Sequence, residues 1–107
     1  MIIDFDEIKE VHQMNFKGGK GLLDTRNYVD AEAKIMYSTL RPGASSGLHR
    51  HEGDCEIVFV ISGVATFVYD GHEEVCRAGQ CHYCPNGHSH YMENRTDHDL
   101  VYFAVVK

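Results

Sequence analysis

The sequence has little that would place it in a membrane, on nucleic acid or in a secretory pathway. No apolar run approaches the roughly 18 residues needed to span a bilayer. The first ten residues, MIIDFDEIKE, lack the basic start and small-residue cleavage site of a secretory signal, so a cytoplasmic protein is expected. Ten Lys and Arg residues stand against sixteen Asp and Glu, for a formal charge of −6, and the basic residues nowhere gather into a stripe. A nucleic-acid partner would favour such a stripe, and none is expected here. There are only two prolines, no sustained helical repeat, no internal repeat and no linker composition. A chain of 107 residues with these features reads as one domain, residues 1–107, long enough for a single core but short of comfortable.

Cysteine is also sparse in the sense that matters. Cys81 and Cys84 form a C-x-x-C, but no second pair exists to close a four-sulfur zinc site. Their surroundings are strand-like rather than the helix start of a thiol-redox motif. Without a secretion signal the four cysteines read as reduced packing residues. Cys55, beside Glu56, is read in the same way. The stretch 15–27, NFKGGKGLLDTRN, lacks the Walker spacing of a phosphate-binding loop and reads as a plain loop with Leu22 and Leu23 tucked inward.

What the chain does contain is β-forming sequence punctuated by ten glycines. Strands are predicted over 33–40, 56–61, 64–69, 73–77, 81–84, 89–93 and 99–106. Arg41-Pro42-Gly43 stops the first of these, and Asp70-Gly71 predicts a two-residue hairpin turn. The N-terminal residues 1–30 are ancillary: Ile2, Ile3, Phe5 and Ile8 fit a short strand or a turn of helix, and loops follow. Many short strands with glycine-rich turns predict an all-β sandwich or barrel.

The stretch from Gly43 to Gly63, GASSGLHRHEGDCEIVFVISG, carries the chemistry. His49 and His51 are two apart and share one face of a strand. Glu56 lies an odd number of residues further on. The polar insert Glu52-Gly53-Asp54 supplies a bend that lets it re-enter from a neighbouring strand. Two imidazoles and a carboxylate converging in this way suit a borderline divalent metal. A second stretch, Gly79 to Asn94, GQCHYCPNGHSHYMEN, repeats the logic with a Pro-Asn-Gly turn followed by His88 and His90.

These two stretches resemble the paired motifs of the cupin superfamily. The first is similar to G(X)5HXH(X)3-4E(X)6G, with Gly43, His49, His51, Glu56 and Gly63 in register. The second is similar to G(X)5PXG(X)2H(X)3N, met by Gly79, Pro85, Gly87, His90 and Asn94. The resemblance implies a small single-domain barrel, the double-stranded β-helix or jelly roll. It also implies a metal site of His49, His51, Glu56 and His90. Such a set leaves two positions open on an octahedral ion, which suits reaction rather than structure. Iron(II), manganese, nickel, cobalt and zinc all fit mixed nitrogen and oxygen ligands.

Function follows as two expectations. One is a metal-dependent enzyme acting on a small organic molecule, of the dioxygenase, decarboxylase, lyase or cyclase type. The other is a non-catalytic cupin module that binds or senses a small ligand or metal. Beyond the four ligands, His88 shares parity with His90 and is a candidate for the interior. His12, His72, His82 and His98 read as surface or structural residues, with His82 and Tyr83 near the site. Asn94 reads as structural. Met36, Tyr37, Tyr83, Tyr91, Met92, Tyr102 and Phe103 are candidates for pocket walls. Finally, the strand from Glu56 is apolar on both faces, Val58 and Val60 on one and Ile57, Phe59 and Ile61 on the other. Such a strand calls for cover on both sides, and a homodimer is expected to supply it.

Overall fold

Alternation of side chains along the strands sorts the chain into an inner and an outer surface, seen in a computed structural model that describes residues 1–107. The first four strands are β1 (Val11–Met14), β2 (Leu22–Val29), β3 (Lys34–Leu40) and β4 (His49–Arg50). Next come β5 (Glu56–Ser62), β6 (Val64–Tyr69) and β7 (His72–Arg77). The last three are β8 (Cys81–Cys84), β9 (Ser89–Glu93) and β10 (Leu100–Val106). A six-stranded sheet in the order β1-β2-β3-β10-β5-β8 packs on a four-stranded sheet in the order β4-β9-β6-β7. Every pairing is antiparallel, and the architecture is the all-β jelly roll.

The core lies between the sheets. Leu40, Val58, Val60, Leu100, Tyr102 and Ala104 face it from the larger sheet, and Ala65, Phe67 and Met92 from the smaller. The β6–β7 hairpin turns on Asp70 and Gly71, both with positive φ, as a tight two-residue turn requires. Asn94 is fully buried and acts as a clasp: its amide nitrogen donates to the carbonyls of Leu40 and His98, while its oxygen accepts from Thr96.

The N-terminal third departs from the expected loops. Residues 22–29 form a full strand of the larger sheet, and β1 extends that sheet by one more. Between them Phe16–Gly18 makes a short 3-10 turn. The sequence LLDTRNYV alternates poorly by hydropathy because polar residues are buried on both faces, Thr25 on the inward side with Leu23, and Asp24 on the opposite one. Asp24 and Thr25 are buried, Thr25 on Ser38 at 2.6 Å and Asp24 on Arg41 Nε at 2.8 Å. Another 3-10 turn, Phe5–Glu7, capped by Asp4, resolves the ambiguity of the first ten residues. It lays Phe5 against Tyr37 and Phe103 on the outer face of the larger sheet, and Arg26 holds it by donating to the carbonyls of Phe5 and Ile8. Part of the doubly apolar sheet is therefore covered from within the chain. Ile57, Phe59 and Ile61 remain about 40% exposed beside it.

Candidate metal centre

Strand β4 places His49 directly opposite His90 of β9, so both imidazoles leave the smaller sheet on its inner face. His51 follows two residues later. Its backbone is fixed to the second motif, since His51 N donates to the His88 carbonyl and Gly87 N donates to the His51 carbonyl. Gly53 N donates to the Asn86 side chain, pinning the Glu52–Asp54 bend against the Pro85-Asn86-Gly87 turn. Beyond this bend Glu56 opens β5 in the larger sheet. The carboxylate thus comes from across the sandwich, not from a neighbour in the same sheet.

The four groups meet. The Nε2 atoms of His51 and His49 lie 3.0 and 3.1 Å from Nε2 of His90. Glu56 Oε1 lies 2.9 Å from His90, 3.4 Å from His51 and 3.8 Å from His49. Ligands bound at about 2.1 Å at right angles on one ion stand about 3.0 Å apart, whereas tetrahedral ligands stand about 3.4 Å apart. The separations from 2.9 to 3.4 Å span both spacings, so these donor atoms lie close enough together to hold one ion.

Each imidazole is held by its other nitrogen. His49 Nδ1 donates to the Gly47 carbonyl at 2.8 Å, and His51 Nδ1 to Asp54 Oδ1 at 2.8 Å. His90 Nδ1 meets Nε2 of His82 at 2.9 Å, and His82 Nδ1 in turn donates to Glu74. Because a carboxylate only accepts, this chain leaves the Nδ1 proton on His90. All three Nε2 lone pairs then point at one another, an arrangement that a cation satisfies. The donor set therefore fits a divalent transition ion.

Burial pushes the Glu56 carboxyl up, but its contacts with His49, His51 and His90 outweigh this and hold it well below the usual carboxylate range. Glu56 raises the affinity of His51 for a proton, against its burial and with help from Asp54. Burial pushes His82 the other way and favours its neutral form.

Above these four groups opens a cavity of about 350 Å³, with His49, His51 and Glu56 at its floor and Phe16, Lys17, Lys34, Met36, Arg50, Glu52, Asp54 and Val106 on its walls. Beneath it a void of about 20 Å³ beside Glu56 and His90 is lined by Phe16, Ser46, Val58, Phe67, Met92 and Tyr102. Of the wall candidates, Met36, Met92 and Tyr102 line these spaces. Tyr37 and Tyr83 face outward instead, and Phe103 packs with Phe5. His88 turns away from the interior to bond Asp70 and Tyr69.

His82 is the residue that its sequence context undervalued. It is 2% exposed, stacks on Phe67 at 3.7 Å and supports a candidate ligand. Its parity with Cys84, whose thiol burial pushes up to about 11, marked an inward strand face, but nothing marked its partner. Cys81 is exposed and Cys84 buried, so the C-x-x-C pair straddles the strand, and all four thiols are free. Glu10, His12 and Asp24 also come within ligand distance of one another, but Asp24 is already committed to Arg41.

The family model described as cupin domain matches residues 36–106. The chain belongs to the cupin family. An oxalate-binding protein of Thermotoga maritima is 32% identical to this cupin over 112 residues, spanning 99% of this chain and 93% of that one. The solved structure of a predicted oxalate decarboxylase from Thermotoga maritima superposes with a TM-score of 0.91 at 32% identity, covering 99% of this chain and 97% of that one. A sugar phosphate isomerase of the cupin superfamily from Silicibacter pomeroyi shares the fold, with a TM-score of 0.81 at 24% identity over 100% of this chain and 75% of its own. No helix of this cupin is long and apolar enough to cross a membrane.

Proposed function

We propose that this cupin holds one divalent transition ion on His49, His51, Glu56 and His90 and captures a small carboxylate on it, with the captured molecule as its substrate. The observation that carries this reading is the convergence of three Nε2 atoms and one carboxylate oxygen at the floor of an open cavity. Similarity to an oxalate-binding protein supports a chelating carboxylate as the ligand class. The bound ion supplies Lewis acidity, neutralising the carboxylate and polarising its bonds. The chain's part is to fix the three imidazoles by their Nδ1 bonds and to shield the void beside Glu56 with Phe16, Phe67 and Met92. Decarboxylase and lyase chemistry fit this arrangement, and dioxygenase chemistry fits it when the ion is iron or manganese.

A second reading, capture without turnover, is favoured by the wall of the inner void. Apart from Ser46 and the ligands themselves it is made of apolar and aromatic side chains, which offer little for proton exchange with a bound molecule. The two readings separate in one experiment. Protein reconstituted with manganese(II) or iron(II) is mixed with oxalate, binding is followed by calorimetry and carbon dioxide release by mass spectrometry. Binding with release supports the enzyme; binding alone supports the capture module; failure of the loaded protein to bind oxalate or any 2-oxo acid refutes both.

Two further proposals complete the picture. The outward face of β5 pairs with its copy in a homodimer. The free state of all four cysteines supports a reducing compartment, the cytoplasm.

A further inference from the structure

The turn that overhangs the cavity is strained, and what it presents is a cation. Asn15 and Lys17 both adopt positive φ, 57° and 53°, a region that residues with a Cβ rarely enter. Such conformations persist only where the surroundings over-determine them, and they concentrate at functional sites. Here the constraint is visible. Asn15 N donates to the Gly21 carbonyl, and Gly18 N and Gly19 N donate back to Asn15 and Phe16. Gly47 N donates to the Phe16 carbonyl, in an approach so close that a Cβ on Gly47 would stand 1.7 Å from the Lys17 carbonyl oxygen. Residue 47 is thus glycine because the turn lies on its backbone. It is the same Gly47 whose carbonyl orients His49.

Fixed in this way, the turn sets Lys17 at the cavity wall and Phe16 between the outer cavity and the inner void. Lys34, the first residue of β3, lines the same cavity. Both ammonium groups lie over the Phe16 ring, Lys17 Nζ at 5.7 Å and Lys34 Nζ at 6.0 Å from its centre. Neither has a carboxylate partner. The other cavity charges are spoken for, Arg50 by Glu52 at 3.5 Å and Asp54 by His51.

The charge sum gives the ligand's valence. Lys17, Lys34 and Arg50 are balanced by Glu52, Asp54 and Glu56, so a divalent ion leaves the loaded cavity with two positive charges. A dianion neutralises it. Volume gives the ligand's size: about 350 Å³ falls within the range of sites for small organic ligands, and oxalate on the ion would fill only the floor.

We infer that Lys17 and Lys34 form a second anion-binding subsite, so that the ligand is a dicarboxylate longer than oxalate, one end on the ion and the other between the two ammonium groups. This rests on the proposed capture of a carboxylate by the ion and adds the far end of the molecule. Lysine suits the role because its flexible stem lets the ammonium follow a distal carboxylate.

The test is calorimetry on protein loaded with manganese(II) under nitrogen. The ligands are oxalate, then 2-oxopentanedioate and 2-oxohexanedioate, each against the monocarboxylic 2-oxo acid of the same length. At least one diacid is expected to bind roughly tenfold or more tightly than its monoacid. The double variant Lys17→Ala, Lys34→Ala should abolish that preference, weakening the diacids more than oxalate, which is held by the ion. Equal affinities for diacids and monoacids, or a preference that survives the double substitution, would overturn the subsite while oxalate binding left the ion's role standing. If neither oxalate nor any 2-oxo acid binds, the reading of the ion site falls and the subsite with it.

Discussion

His82 Nε2 lies 2.9 Å from His90 Nδ1, from which it accepts, and the same ring donates its single proton, on Nδ1, to Glu74 at the surface. A candidate metal ligand is therefore oriented by a second histidine, which is itself oriented by a half-exposed carboxylate. Groups that fix a ligand's tautomer commonly contribute 10- to 100-fold in metal affinity. We expect His82→Phe to lower metal affinity by roughly that factor without unfolding the protein, because a phenyl ring preserves the stack on Phe67. Glu74→Gln should be milder, its amide oxygen still accepting. Competition with a chromophoric chelator measures both. Unchanged affinity in His82→Phe would reduce that residue to packing.

His51→Ala removes one of the four proposed ligands and leaves the other three around a gap. Metal content by elemental analysis, on protein purified without tag or chelator, should fall from stoichiometric to near zero. Retention of the full metal content in the variant would show that the ion, if bound, sits elsewhere.

Acid sensitivity should trace partly to Asp24. Burial pushes its carboxyl up, but the bonds from His12 and Arg41 outweigh this and hold it below the ordinary value of 3.8. A group depressed in the folded state contributes stability above its unfolded pKa and loses it as pH falls through the folded one. Asp24→Asn should therefore cost about 1–2 kcal/mol at neutral pH, the low end because Arg41 is half exposed. The difference from the parent should begin to narrow below about pH 3.8 and close as the pH falls through the lower folded value. Urea denaturation at neutral pH and at successively lower pH below 3.8 follows the narrowing. A gap that stays constant across the range would separate Asp24 from the acid transition.

The exposed row of Ile57, Phe59 and Ile61 sets an oligomeric expectation. Light scattering at micromolar concentration should give the mass of a dimer, and Phe59→Glu should give that of a monomer with an unchanged fold. A monomeric parent would leave the row without its proposed cover.

Much of this was legible because motif spacing and strand parity are strong local constraints. The inward set Glu56, Val58 and Val60 and the pairing of His49 with His51 follow from a period of two, and Asp70-Gly71 announces its own turn. Strand β2 was not legible, because Asp24 and Thr25, on opposite faces of it, are both buried by partners, Arg41 and Ser38, that belong to a later part of the chain. His82 and Lys17 escaped for the same reason. What makes them matter is a neighbour set by tertiary packing, His90 in one case and Gly47 in the other.

The cross-sandwich origin of Glu56 has a mechanical consequence. Three histidines belong to the side of the smaller sheet and the carboxylate to the larger, so an ion bound by all four is a rivet through both layers. Parting the sheets would mean breaking coordination first, and the loaded molecule should breathe less than the empty one. Hydrogen exchange at the amides of β5 and β9 would slow together on loading. The ion's residence time and the opening of the sandwich would then be governed by one barrier.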